Sequence, residues 1–164
     1  MASQPTPRAV LNSFIGASVS RVEELVAKPP HKTPGPYLLD GAIEFEQGLR
    51  FIFDDARILT IKWMSLGIHE GLEVISGLRD YDLFSTREIV HDLRIGVLEA
   101  VSPEVCPFDE IHHISLVGSV QLIDILLAEV DYAKNAVVPT SDAVTVVWNP
   151  LSIDYSEFPG IRSR

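Results

Sequence analysis

The chain has 164 residues, 46% of them hydrophobic and 22% charged, with a formal net charge of −10. That mixture excludes a disordered or fibrous chain, and that length suits one domain with a core of its own. No apolar run approaches the ~20 residues needed to span a bilayer, which excludes a helical membrane protein.

The opening Met-Ala-Ser-Gln-Pro-Thr-Pro-Arg lacks the basic-then-apolar order of a secretory signal. The single cysteine, Cys106, cannot form an internal disulfide, so a reducing, cytoplasmic setting is expected. Charge is unevenly placed. Residues 1–36 carry Arg8, Arg21, Lys28 and Lys32 against Glu23 and Glu24, whereas residues 37–164 hold nine basic and 21 acidic side chains. A field of that sign repels nucleic acid and anionic membranes and attracts basic partners, besides conferring solubility.

In chain order, residues 1–7 read as a flexible lead. The segment KPPHKTPGP (28–36) holds four prolines and a glycine, a composition of loops. Strand periodicity begins at Ile43 and Phe45, which alternate with Glu44 and Glu46. It continues in Leu49, Phe51 and Phe53, then in Leu59, Ile61 and Trp63, with Asp54-Asp55-Ala56-Arg57 as a polar turn between those two runs. A strand is expected at Leu72–Ile75. Ser85-Thr86-Arg87-Glu88 has capping-box spacing ahead of Ile89, Val90 and Leu93, which predicts a short helix near residues 86–94, in competition with a strand through Ile95, Val97 and Val101. The stretch 116–130 is apolar and β-branched, Ala143–Trp148 reads as strand, and the tail from Ser156 reads as frayed. Phe51, Phe53, Trp63 and Trp148 fall at strand alternation and are expected in the core.

Two segments share a skeleton. SFIGASVSRVEELV (13–26) and SLVGSVQLIDILL (115–127) both run serine, two apolar residues, glycine and a small residue, and each is followed by a strand-turn-strand pattern. This suggests an internal repeat over 13–63 and 115–156, with the two units packed about a pseudo-two-fold axis, and Gly16 and Gly118 marking tight turns or close packing. The expected architecture is α+β, mostly antiparallel β, in a single domain over 1–164 with residues 1–7 and 157–164 flexible. In outline, over most of the chain, the alternation of glycine-led segments and hairpins resembles small acidic bacterial immunity proteins that partner toxins. The resemblance rests on no invariant motif and so assigns no functional residue.

Chemical signatures are sparse. The cluster CPFDEIHH (106–113) offers Cys106, Asp109, Glu110, His112 and His113, all legitimate zinc-ligand types. Adjacent histidines on a strand nevertheless point to opposite faces, and no second spaced ligand pair accompanies them. In GIHEG, His69 is followed four residues later by Glu73, where zincin chemistry needs a second histidine. Val-Gly-Ser-Val around Ser119 lacks the second glycine of a nucleophile elbow, and no glycine-rich phosphate loop is present. No catalytic residue, metal or cofactor is therefore assigned. Acidic residues beside aromatics suit recognition of a basic surface. The expectation is a non-enzymatic protein-binding module, most concretely an immunity- or antitoxin-type inhibitor occluding a basic toxin surface, with Asp54, Asp55, Tyr81, Asp82, Asp109 and Glu110 as contacts. The alternatives are a small metal- or histidine-dependent hydrolase using His69, His112, His113 and Cys106, and a homodimeric structural protein.

Overall fold

A computed structural model describes residues 5–28, 32–66, 69–77, 84–89, 93–106 and 110–162. Among these the chain is mostly antiparallel β, as its alternation predicts. The elements are α1 (Pro7–Asn12), β1 (Val19–Ala27), β2 (Tyr37–Leu39), β3 (Ala42–Phe45), β4 (Gly48–Phe53), β5 (Ile58–Leu66) and β6 (His69–Ser76). Then come β7 (Phe84–Glu88), β8 (Leu98–Val105), β9 (Ile111–Gly118), β10 (Leu122–Asp131), β11 (Ala136–Val147), a 3₁₀ turn at Pro150–Ser152 and α2 (Pro159–Arg162). The first sheet is five-stranded, in the order β6-β5-β4-β1-β7; the second is six-stranded, in the order β2-β3-β11-β10-β9-β8. No helix among the described residues is long and apolar enough to cross a membrane.

Side-chain alternation makes one core between the sheets. Leu49, Phe51, Phe53, Leu59 and Ile61 from the first sheet meet Ile43, Phe45, Ile114, Leu116, Ile125, Val144 and Val146 from the second. Each such side chain contributes about 1.5–3 kcal/mol on leaving water. Trp63 and Trp148 pack on this cluster partly buried, with the Trp63 indole donating to the Glu46 carbonyl at 2.7 Å. The hairpin read from the sequence is β4 and β5, turned at Asp54–Arg57. Ile43 and Phe45, however, lie on β3 in the other sheet, so the chain changes sheets between Phe45 and Gly48. The sheets are stitched where Ser18 bridges Val97 and the Leu98 amide donates to the Ala17 carbonyl at 2.9 Å. Helix α1, capped by the Thr6 hydroxyl with Pro7 in its first turn, packs on β6 and β8, an edge strand of each sheet. Just beyond it, Phe14 stacks on Phe53 with ring centroids 4.8 Å apart.

Three expectations are corrected. The helix near residues 86–94 does not form at its start: Phe84–Glu88 is strand β7, paired with β1, and Leu93 and Ile95 enter the core from irregular backbone. A cross-strand ion pair from Arg87 to Glu24 and a bond from Arg50 to Thr86 outweigh the local capping signal. The matched segments of the proposed repeat differ locally: Ser13 caps the C-terminus of α1, whereas Ser115 lies inside β9. The second unit also lacks a return strand, because after Val147 the chain turns at Pro150 and crosses the outer face of the second sheet. The two glycines do mark tight points, for different reasons. Gly16 has a positive φ of 92°, while a Cβ on Gly118 would collide with the Ile95 carbonyl.

The third correction is the tail. Ile153, Phe158 and Ile161 are buried on the outer face of the second sheet against Leu126, Ala128, Val137 and Val147. Residues 157–162 are therefore part of the fold. Their apolar positions are too few to show a period, which is why composition alone read them as frayed.

Candidate functional site: two clefts on one sheet face

The pairing register lines up one row across the second sheet. Tyr37, Glu44, Thr145, Leu126, His113 and Glu104 are successive cross-strand partners from β2 to β8. The tail covers the middle of this face, and a cleft opens at each end. Both clefts use one irregularity. Between the pairs Leu127–Val144 and Ala128–Pro139, residues 140–143 of β11 stand outside the ladder. Thr140 and Ser141 line one cleft, Asp142 and Ala143 the other.

The histidine cleft has a volume of about 560 Å³. His113 is buried in its wall, with Nδ1 2.9 Å from Glu104 Oε2 and Nε2 2.6 Å from Asp124 Oδ1. Gly160 of α2 lies directly against the ring; a Cβ there would stand 3.3 Å from Nδ1. Both ring nitrogens therefore face carboxylate oxygens. The Ser115 hydroxyl donates to Asp124 at 2.8 Å and lies 3.3 Å from the same Nε2. Glu104 and Ser115 thus stand at opposite ring nitrogens, the order a nucleophilic triad requires, but Asp124 takes the short contact at Nε2 and the Ser115 hydroxyl is turned onto Asp124.

His112 lines the same cleft, because the pairing of β8 with β9 slips between Glu104–His113 and Val105–Ile111 and the two adjacent histidines are not held to opposite faces. Its Nε2 lies 2.9 Å from the Glu70 carbonyl oxygen and 3.2 Å from Glu110 Oε2. Burial, aided by the charges of Glu104 and Glu110, pushes the Cys106 thiol up from its ordinary value, against only one backbone N–H from His112. The thiol is thereby held in its less nucleophilic protonated form. Among the described residues no three His, Cys, Asp or Glu side chains are grouped to hold a metal ion.

The second cleft, about 350 Å³, gathers Glu44, Glu46, Glu129 and Asp142 between Tyr37 and Tyr132. Glu44 is only 7% exposed, and its Oε1 accepts the Val130 amide at 2.6 Å. Burial raises the Glu44 carboxyl; the Val130 N–H offsets part of this, and Glu129, Glu46 and Asp142 add to it. Burial and Asp142 raise Glu46 in the same way. No Lys, Arg or His ion-pairs with any of these four carboxylates among the described residues. At the cleft's rim Tyr132 is 59% exposed, and its hydroxyl accepts from the Leu38 amide at 3.0 Å on the sheet's edge strand.

The residues expected as contacts do not assemble into one surface. Asp54 and Asp55 sit exposed at the β4–β5 turn, where Asp55 is engaged by the Arg57 guanidinium at 2.8 Å. Glu110 accepts the Glu70 amide at 3.1 Å beside the histidine cleft. Tyr81, Asp82 and Asp109 lie outside the described residues, as does the side chain of His69. Sequence reasoning missed Tyr37, Glu44, Glu46, Glu129, Tyr132 and Asp142. The alternation of Glu44 and Glu46 with core residues was visible; their meeting with residues some 90 positions away was not.

Fold and clefts together define an antiparallel, two-sheet β protein with a ligand-sized opening at each end of one face. The chain matches no family model, no curated protein and no solved structure.

Proposed function

We propose that the chain is a non-enzymatic protein-binding module that receives a basic side chain of a partner in the tyrosine-walled acidic cleft. An immunity- or antitoxin-type inhibitor that occludes a basic toxin surface is the concrete form of this reading. The observation that carries it is that four carboxylates converge with no cation paired to them among the described residues. Glu44 and Glu46 are raised, so their charged forms are costly in the free protein, and a guanidinium or ammonium entering the cleft relieves that cost. Tyr37 and Tyr132 supply flat, amphipathic walls for a cationic side chain, and the exposed Tyr132 and Leu38 offer apolar contact beside it. The net charge of −10 steers such a partner toward the protein.

The test is titration of an octa-arginine peptide into the protein at low ionic strength by calorimetry. Binding is expected to weaken steeply with salt and to fall about tenfold in Asp142→Asn, the loss of one close charge pair. Equal affinity in that variant would move the interaction to another acidic surface and end this reading. The physiological partner is sought by capture from the native host, and a gene for a basic toxin-like protein beside this one would fit the inhibitor form.

A further inference from the structure

We propose that the histidine cleft is a second, separate site that binds a small organic ammonium ion, a primary amine on an apolar alkyl or aryl body. The argument starts from its walls. Leu127, Pro139, Phe158 and Pro159 give the cleft an apolar lining, and Phe158 presents an aromatic ring. The carboxylates set into that lining are Glu70, Glu104 and Glu157, beside the imidazoles of His112 and His113; no Lys or Arg lines it among the described residues. Its two imidazoles do not reverse this sign. Glu104 and Asp124 flank both nitrogens of His113, and the Nε2 of His112 is engaged by the Glu70 carbonyl and by Glu110. Burial raises the Cys106 thiol most, and the charges of Glu104 and Glu110 add to that rise.

A negative, apolar-walled cavity selects a cation, and its geometry selects which kind. A compact divalent ion needs three or more ligands within about 2.0–2.6 Å of one point, and no such grouping exists among the described residues. Carboxylates dispersed over apolar walls fit instead a larger cation, whose body covers the walls while its ammonium reaches the acids. The volume of about 560 Å³ is in the small-molecule range. Glu70 and Glu157 have no side-chain ion pair within the described protein, so their charge is available to the ligand.

The experiment uses the full chain and three probes matched in shape: phenethylammonium, the neutral 2-phenylethanol and the anionic 3-phenylpropionate. Chemical-shift titration is expected to give a Kd of about 1 mM for the amine, a good value for nine non-hydrogen atoms. The alcohol should bind about tenfold more weakly, and the anion not measurably. Glu70→Gln and Glu157→Gln should each weaken the amine several-fold, while Asp55→Asn, at the exposed β4–β5 turn outside both clefts, should leave it unchanged. Retention of the fold in each variant is read from the unchanged dispersion of its amide spectrum. Equal binding of alcohol and amine would overturn the proposal. So would an amine affinity that falls in Glu46→Gln but not in the Glu70 and Glu157 variants, which would place the ammonium in the acidic cleft. Absence of any shift for the amine at about ten times the expected Kd would also overturn it.

Discussion

The outer faces of the two sheets treat buried carboxylates in opposite ways. On the first sheet Glu23 is nearly buried, and burial alone would raise it. Hydrogen bonds and charge from Arg21 and Arg50 more than compensate, the Arg50 Nε lying 2.6 Å away, and leave its carboxyl lowered. Close by, Lys62 pairs with Glu73 at 3.0 Å. On the second sheet Glu44 and Glu46 suffer the same desolvation, yet they meet further acids instead of cations. A fold that neutralises its acids on one face and leaves them unmatched on another has stored an electrostatic cost at a particular place. Stored cost of that kind is what a ligand can relieve, and it carries more information than net charge alone.

The comparison can first be broken through its frame. Ile161 is 1% exposed and helps the tail cover the centre of the second sheet's outer face. Ile161→Ala should therefore cost ~3 kcal/mol in chemical denaturation. A loss indistinguishable from zero would mean that the tail is not part of the folded unit. The next effect is electrostatic. Arg50→Met leaves Glu23 facing Arg21 alone, with 10% of the Glu23 side chain exposed, and should cost about 2 kcal/mol. Substituting Glu23→Gln instead should give a penalty at neutral pH that disappears in acid. Because its folded pKa is lowered, Glu23 adds stability above the ordinary value of 4.5 and loses it as pH falls through the folded value.

For the unmatched acids the sign reverses. The folded pKa of Glu44 is raised, so its stabilising contribution is present below 4.5 and lost as pH rises through the raised value. Glu44→Gln, which keeps an acceptor for the Val130 amide, should stabilise the free protein at pH 7 by no more than ~1 kcal/mol after solvent screening. That gain should shrink toward zero below pH 4.5. Denaturant midpoints across this range for Glu23→Gln and Glu44→Gln should thus move in opposite directions. Parallel movement would erase the difference between the two faces.

How far the sequence carries this picture depends on the range of each interaction. The β4–β5 hairpin is legible because its alternation and its turn at Asp54–Arg57 are local. Strand β7 is misread for the converse reason: Thr86 and Arg87, between the capping-box pair Ser85 and Glu88, are bound to Arg50 and Glu24, from strands distant in sequence. The acidic cleft is non-local altogether. Glu44 reaches Val130 across 86 residues, and Asp142 joins only because β11 leaves residues 140–143 out of register. An excess of acid is readable from composition, but its location follows from strand order.

The smallest predicted effect separates that composition from its placement. Asp55 is acidic, exposed and on a turn, which made it an attractive contact on sequence grounds, yet the Arg57 backbone N–H and guanidinium already satisfy it and hold its carboxyl low. Asp55→Asn should leave both the melting temperature and the affinity for octa-arginine unchanged within error. Asp142→Asn removes the same formal charge from the cleft and should lower that affinity about tenfold. Equal losses from the two would mean that the peptide reads total charge, and that the unmatched acids of the second sheet are no more a site than the matched ones.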